Sequence, residues 1–260
     1  MLATAPIRSE SHHAVYPLAQ STTEAQHTAP AQSRCSSCAL RHVCLPSGLS
    51  AEEVERLDSI IHFRRHVKRA QALYRVGDAF ESIYAVHYGS FKTTVLYDDG
   101  REQITGFQIA GELLGLDGIS AEKYSCDAIA MEDSELCVIP FQHLEELCRQ
   151  HEQIQRHFNK MMSGEIVREY GLILLLGNMR AEERVATFLL NLSQRLEARG
   201  YSSSEFNLRM TREEIGDYLG MKLETVSRTF SRFQEQGLIS THQKHIRILD
   251  KERLKRILAR

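Results

Sequence analysis

Thr211-Arg-Glu-Glu-Ile-Gly-Asp-Tyr-Leu-Gly220-Met-Lys-Leu-Glu-Thr-Val-Ser-Arg-Thr-Phe-Ser-Arg-Phe233 is the stretch that decides the architecture of the C-terminal part of this chain. It opens on a capping box, in which the Thr211 hydroxyl and the Glu214 carboxylate satisfy each other's exposed backbone amides at a helix start. Ile215 and Leu219 then fall on one face, Gly220 ends the helix, and a second helix starts by Leu223. Two helices joined this tightly form a helix-turn-helix. In the second, Val226, Phe230 and Phe233 are spaced by four and three and form the buried face. At about 100° per residue Glu224 and Arg228 point away from that face, with Ser227 and Ser231 beside them. This exposed set has the chemistry of major-groove reading: arginine bonds guanine O6 and N7, glutamate accepts from a cytosine amino group, and serine takes either role. An i,i+4 ion pair between Glu224 and Arg228 on a wet helix face is the plainer alternative, and the two are compatible.

Downstream, Leu238-Ile-Ser-Thr-His to Ile246-Arg-Ile-Leu249 reads as two strands around a basic turn of Gln243, Lys244 and His245, a wing suited to phosphate contacts. Residues 207–260 carry 12 Lys and Arg against 7 Asp and Glu, while the whole chain is at −2. A basic module on an acidic body fits double-stranded DNA as partner. Upstream, the segment from Glu152 to Gly177 is amphipathic and holds no proline. On it Met162, Ile166, Glu169, Ile173 and Leu176 alternate in steps of four and three, the spacing of a coiled-coil seam. Such a helix either packs on its own domain or pairs with a second copy. Its place between a β-rich domain and a DNA-binding module favours a homodimer interface, in which Glu169 weakens pairing through charge repulsion and desolvation.

Between about Phe63 and Phe141 the pattern is short and β-rich, as in Ser82-Ile-Tyr-Ala-Val-His-Tyr88 and Ser90-Phe-Lys-Thr-Thr-Val-Leu-Tyr97. Turn signals at Gly77-Asp78, Gly89 and Asp98-Asp99-Gly100 punctuate it, as expected of an antiparallel sandwich or roll. Before it, Ser50-Ala-Glu-Glu53 is a second capping box opening a helix to about Ile61. Residues 1–33 are rich in Ala, Ser, Thr, Gln and His, with too little apolar periodicity to offset ordering entropy, so a disordered tail is expected there. No run of about 18 apolar residues occurs, and the opening Met1 to Ala19 lacks the charged start and apolar stretch of a signal peptide. A cytoplasmic protein with no membrane partner is expected.

In a reducing compartment six cysteines point to metal or redox chemistry rather than to bridges. Cys35, Cys38 and Cys44 lie within ten residues, a spacing that ligates iron–sulfur clusters or zinc. Zinc favours a closed tetrahedron of two close pairs, which a single uneven triplet matches poorly. Cys126, Cys137 and Cys148 are candidates for a fourth ligand, with His42 a candidate for zinc. A disulfide switch and inert buried thiols complete the alternatives, and Cys148 suits a structural place in a helix.

Together these residues resemble the Crp/Fnr superfamily of transcription regulators, and within it the oxygen-responsive Fnr (fumarate and nitrate reduction regulator) branch. The carriers are the triplet Cys35, Cys38, Cys44; Glu102-Gln-Ile-Thr-Gly-Phe107; Gly111-Glu-Leu113; Cys137-Val-Ile-Pro-Phe141; Met162-Ser-Gly-Glu-Ile166; Ala181-Glu-Glu-Arg184; and Glu224-Thr-Val-Ser227-Arg228. The resemblance covers nearly everything after Arg34. It implies an α+β protein with an N-terminal β-roll (a cyclic-nucleotide-binding-like jelly roll), a long dimerisation helix and a C-terminal winged helix-turn-helix. The corresponding segments are a tail over 1–33, a cluster-binding loop over 34–47, the β-roll sensor domain over 48–142, the dimerisation helix over 143–178 and the DNA-binding domain over 179–260. It further implies a [4Fe-4S] cluster on Cys35, Cys38, Cys44 and a β-roll cysteine. The family places that ligand just before a Pro-Phe step, which selects Cys137, with Cys126 as the alternative. The resemblance implies that such a cluster assembles without oxygen and promotes a homodimer along the seam, and that oxygen would degrade it and release monomers. Glu224, Ser227 and Arg228 match the family's Glu-x-x-Ser-Arg pattern, implying a palindromic operator with TTGAT-like half-sites. Asp98-Asp99-Gly100-Arg101 resembles the family's RNA polymerase contact loop, although Arg101 replaces the acidic residue usual there. Glu169 stands where the family carries an acid that keeps cluster-free monomers apart.

Three rivals remain. A cyclic-nucleotide-responsive regulator of the same superfamily uses a loop like Gly111-Glu-Leu113, but Tyr124-Ser-Cys-Asp-Ala128 supplies no arginine for the phosphate and places Asp127 there instead. A redox-thiol regulator needs no metal. A cluster-carrying electron-transfer protein needs a second cofactor site. No Gly-rich phosphate loop, Ser-His-Asp set or paired carboxylates emerge, so the chain is expected not to be an enzyme.

Overall fold

The computed structural model describes residues 34–44, 49–61, 63–97 and 100–259. The tail expected over 1–33, the end of the cluster-binding loop at 45–47 and Asp98-Asp99 of the loop compared with the polymerase contact lie outside the described residues. After a 3-10 turn at Cys35–Ser37 come α1 (Arg41–Cys44) and α2 (Ala51–Ile60). The β-roll follows as β1 (Arg64–Val67), β2 (Ala72–Tyr74), β3 (Ser82–Tyr88), β4 (Ser90–Leu96), β5 (Glu102–Ile109), β6 (Leu113–Leu114), β7 (Asp127–Ala130) and β8 (Ser134–Pro140). Next are α3 (Phe141–Gln150), the 27-residue α4 (Glu152–Asn178) and α5 (Ala181–Glu197). The C-terminal part is β9 (Glu205–Asn207), α6 (Arg212–Leu219), α7 (Leu223–Glu235), β10 (Ile239–His242), β11 (His245–Ile248) and α8 (Lys251–Arg256). The fold is α+β, with the β-roll, long helix and winged helix-turn-helix in the expected order.

The roll is two four-stranded antiparallel sheets, ordered β1-β8-β3-β6 and β2-β7-β4-β5. They enclose Tyr74, Tyr84, Phe91, Leu136 and Val138, with the Tyr74 and Tyr124 rings stacked 3.8 Å apart. Because strand side chains alternate, β8 serves two cores. Leu136 and Val138 enter the roll, while Cys137 and Ile139 face the opposite way onto a helical layer that includes Val54, Leu57, Leu144 and Leu147.

Both capping boxes form. Glu53 N donates to Ser50 Oγ at 3.2 Å and Ser50 N to Glu53 Oε2 at 2.7 Å. Glu214 N donates to Thr211 Oγ1 at 3.1 Å and Thr211 N to Glu214 Oε2 at 2.8 Å. The turn between α6 and α7 depends on two glycines. Gly220 takes φ 61°, and a Cβ on Gly216 would stand 2.6 Å from the Met221 carbonyl oxygen. Only a residue without a side chain lets the two segments approach so closely. The wing is the sheet β10-β11-β9, with Gln243 at φ 55° in its turn.

The core around α7 also takes in Ile104 and Phe107 of β5 and Leu175 of α4. The β4–β5 edge is further tied to α6, through Lys92 to Glu214 at 3.2 Å and the Gln103 amide to the Asp217 carbonyl. Arg184 fastens the long helix to the helix-turn-helix. Its guanidinium donates to the carbonyls of Leu176 (2.8 Å) and Met179 (2.9 Å) near the end of α4, and of Leu219 (2.9 Å) at the end of α6. These carbonyls are among those a helix end leaves without an intrahelical donor.

Candidate cluster site and nucleic-acid interface

Cys35, Cys38 and Cys44 reach one cavity from the 3-10 turn, the loop after it and the end of α1, and Cys137 reaches it from the outer face of β8. The turn is held by Asp58 of α2, whose carboxylate accepts from Cys35 N, from Ser36 N at 3.3 Å and from Ser36 Oγ at 2.6 Å. Leu49, Leu57, Ile83 and Ile139 give the cavity apolar walls, and α4 contributes Ile154, His157, Phe158 and Met161. The other candidates lie elsewhere. Cys126 is buried between the two sheets, its thiol 3.4 Å from Asp117 Oδ2. Cys148 is buried in the helical layer and does not line the cavity. His42 turns its Nε2 to the Ala198 carbonyl oxygen at 3.2 Å.

Burial pushes the Cys44 thiol up to about 12, helped by the neighbouring Cys137 and Cys38 and opposed by Arg199. Burial raises Cys35 further still, with Cys44, Asp58, Cys137 and Cys38 adding to it. Thiolates at Cys35 and Cys44 therefore need a cation beside them, and a metal that replaces their protons supplies it. Among the described residues no group of three or more His, Cys, Asp or Glu side chains is drawn together around a single metal ion. The donor set is four thiols spread around one cavity, the ligand chemistry of a four-cysteine iron–sulfur cluster, whose irons each take their own thiolate.

The loop that resembles a nucleotide site is occupied by the protein itself. Glu112 is 5% exposed and accepts from Arg195 Nε (2.8 Å) and Nη2 (2.5 Å) and from Arg199 Nη2 (2.8 Å), while Ile109 N donates to it at 3.0 Å. Burial works to raise its carboxyl, yet the two guanidiniums hold it below the usual value. The same Arg199 donates to the Ala110 carbonyl, and a Cβ on Gly111 would stand 3.2 Å from Val43 of α1. Thus α1, the 110–112 loop and the end of α5 meet at one place. Asp127, read from the sequence as a repulsive charge, pairs with Arg75 Nη1 at 2.9 Å.

On α4, Ile166 (50% exposed), Glu169 and Ile173 (63%) lie on an open surface, and Met162 is half-buried. Leu176 differs: it is half-buried against the helix-turn-helix core. The open face is wider than the seam read from the sequence, since Val167, Tyr170 and Leu174 share it. Their steps of three and four run beside the chosen register and carry the same periodic signal. Desolvation raises the Glu169 carboxyl, opposed by Arg168.

On α7, Val226, Phe230 and Phe233 are buried, Glu224 and Arg228 are exposed, and Ser227 is half-buried. No ion pair joins Glu224 to Arg228 among the described residues, and both side chains are exposed to solvent. At the β4–β5 hairpin the Arg101 guanidinium lies 5.6 Å over the Tyr97 ring. Sequence reasoning missed Asp58, Arg195, Arg199 and His157, and read Glu112 only as part of a nucleotide-like loop. Each acts across a long sequence separation, for which charge and periodicity give no signal.

Among known proteins, the cyclic nucleotide-binding domain family matches residues 64–151 and the Crp-like helix-turn-helix domain family matches residues 183–257. The chain is 48% identical over 229 residues to the transcriptional regulatory protein btr of Bordetella pertussis, covering 88% of this chain and 95% of that protein. It is 41% identical over 220 residues to the fumarate and nitrate reduction regulatory protein of Yersinia pestis, covering 85% and 88%. The solved structure of FixK2 from Bradyrhizobium japonicum superposes with a TM-score of 0.69 at 32% identity, covering 75% of this chain and 96% of that one. No helix among the described residues is long and apolar enough to cross a membrane. The winged helix-turn-helix with its open α7 face, the β-roll ahead of it and these relatives agree: the chain belongs to the Crp/Fnr family of transcription regulators, and is not an enzyme.

Proposed function

We propose that the chain is a cytoplasmic, oxygen-responsive regulator of anaerobic metabolism, holding a [4Fe-4S] cluster on Cys35, Cys38, Cys44 and Cys137. The observation that carries this reading is that these four thiols line one apolar cavity walled on one side by α4. When bound, such a cluster supplies an oxygen-sensitive centre. The protein's own residues do the rest. Asp58 holds the Cys35 turn in place, and Ile154, Phe158 and Met161 join the cavity wall to the helix that carries the pairing face. Met162, Ile166, Glu169 and Ile173 form the homodimer interface, with Glu169 keeping it marginal, while Leu176, counted with them in the sequence, packs on the helix-turn-helix core instead. Each subunit then presents Glu224, Ser227 and Arg228 to one TTGAT-like half of a palindromic operator, and RNA polymerase is the further partner of an activator. The domain limits follow the same reading: 34–47, 48–142, 143–178 and 179–260.

Anaerobic purification followed by iron and acid-labile sulfide analysis, sedimentation and a DNA-shift assay tests it. A brown dimer that loses colour, pairing and operator binding together in air is expected. Anaerobic protein without iron or sulfide, or cluster-free protein that pairs and binds equally well, overturns the reading. A cyclic-nucleotide regulator is disfavoured because Arg195 and Arg199 already occupy Glu112. Operator affinity unchanged by cyclic nucleotides is expected.

A further inference from the structure

Among the described residues, the buried side-chain polar atoms without a hydrogen-bond partner are His87 Nδ1, Gln108 Oε1, His157 Nδ1 and Arg212 Nη1. Two of them belong to imidazoles that line the four-cysteine cavity. His87 Nδ1 has a Glu135 oxygen 3.1 Å away, outside hydrogen-bond alignment. His157 has no such neighbour and is 7% exposed. It stands on the stripe of α4 formed by Ile154, Phe158 and Met161, all of which line the same cavity. A buried imidazole nitrogen without a partner costs folding free energy, and a group bound in the cavity can supply that partner. The other polar side chains on the lining are Arg34, Arg41 and His87; the arginines only donate, which leaves the sulfurs and the His87 ring as its side-chain acceptors.

We propose that His157 is a positioning residue of the cluster site, its Nδ1–H donating to a cysteine or inorganic sulfur of the bound cluster. This rests on the function proposed above. An N–H directed at a sulfur withdraws negative charge from it and raises the reduction potential of the centre, and outer-shell donors of this kind also slow loss of the metal. Because His157 belongs to α4, the same bond fastens the pairing helix to the filled cavity.

The test compares wild type, His157→Leu and His157→Asn, all purified anaerobically, Asn being able to place an N–H close to where the imidazole Nδ1 lies. The measurements are iron and sulfide per chain, the visible absorption and circular dichroism of the loaded protein, iron release to a ferrous chelator without oxygen, and the melting temperature of the cluster-free chain. His157→Leu is expected to load, to shift the visible bands and to release iron about tenfold faster, with a lower reduction potential; His157→Asn returns spectrum and release toward wild type. Wild-type bands and release rate in His157→Leu overturn the proposal. If His157→Leu melts too low to load, the Asn variant decides: wild-type spectrum and release at wild-type melting support the proposal, and a shifted spectrum with fast release at wild-type melting overturns it. Absence of iron from the wild type removes the cluster reading itself, whereas a normally loaded wild type beside an indifferent His157→Leu removes only the role of His157.

Discussion

The helix-turn-helix and the cysteine cavity are assembled by opposite means. Every feature of the first lies within one short stretch: the Thr211 cap, the close approach at Gly216, the left-handed Gly220 and the exposed Glu224 and Arg228. The second needs Cys137 from the last strand of the roll to meet a turn near the start of the described chain, and needs the flank of α4 as a wall. A locally specified element takes its turn geometry from residues close in sequence, even where distant segments pack against it. A site assembled from distant segments forms only when those segments dock, so its state is open to control, and that suits the DNA reader to a constant role and the cavity to the role of switch.

The largest expected break in this comparison is at the cavity. Replacing Cys35, Cys38, Cys44 or Cys137 by serine is expected to remove iron and sulfide from anaerobic preparations, while C126S and C148S keep them. Loading of C137S together with loss in C126S would reverse the assignment of the fourth ligand.

Next comes the latch between the two regions. E112Q leaves Arg195 and Arg199 buried without their counter-charge, which is expected to cost about 3–5 kcal/mol, read as a lowered denaturation midpoint. The Glu112 pKa is held below its unfolded value. Its contribution is therefore complete above the usual carboxylate range near pH 4 and is lost as pH falls through the folded value, so wild type and E112Q converge in acid. An equal stability gap at every pH would show that the ion pair is not its source.

At the DNA reader, R228A is expected to weaken operator binding by about 1–3 kcal/mol and to relax preference at one base of each half-site, with cluster content unchanged. Uniform weakening on all sequences would make Arg228 a phosphate contact instead.

Smaller still is the effect on α4. E169A is expected to tighten pairing of the cluster-free chain on the order of tenfold. Because desolvation already raises the Glu169 carboxyl and pairing buries it further, the wild-type dimer takes up protons and strengthens as pH falls toward that value. Sedimentation across pH on both proteins measures this, and a wild-type constant that ignores pH sinks it. Smallest is T211A, which removes one helix cap at about 1 kcal/mol and is expected to lower the melting temperature without altering base preference.

The primary structure by itself determined the elements whose signals are short-ranged. Both capping boxes, the buried Val226, Phe230 and Phe233 face, the strand and turn rhythm of the roll and the wing were legible because hydrogen-bonding and burial preferences act over a few residues. The uneven thiol triplet was legible for the same reason. Of the three further cysteines the family resemblance pointed to Cys137, and tertiary structure sets that one on the wall of the triplet's cavity. The alternation of β8 turns Cys137 outward to the helical layer, whereas Cys126 lies between the sheets. Tertiary structure decided that Leu176 leaves the open seam for the helix-turn-helix core, that Val167, Tyr170 and Leu174 widen that seam, and that Glu112 is spent on Arg195 of α5 and Arg199 just past its end. Such pairings depend on which surfaces the folded chain brings together across long separations, and no periodicity within a segment encodes the identity of its distant partner.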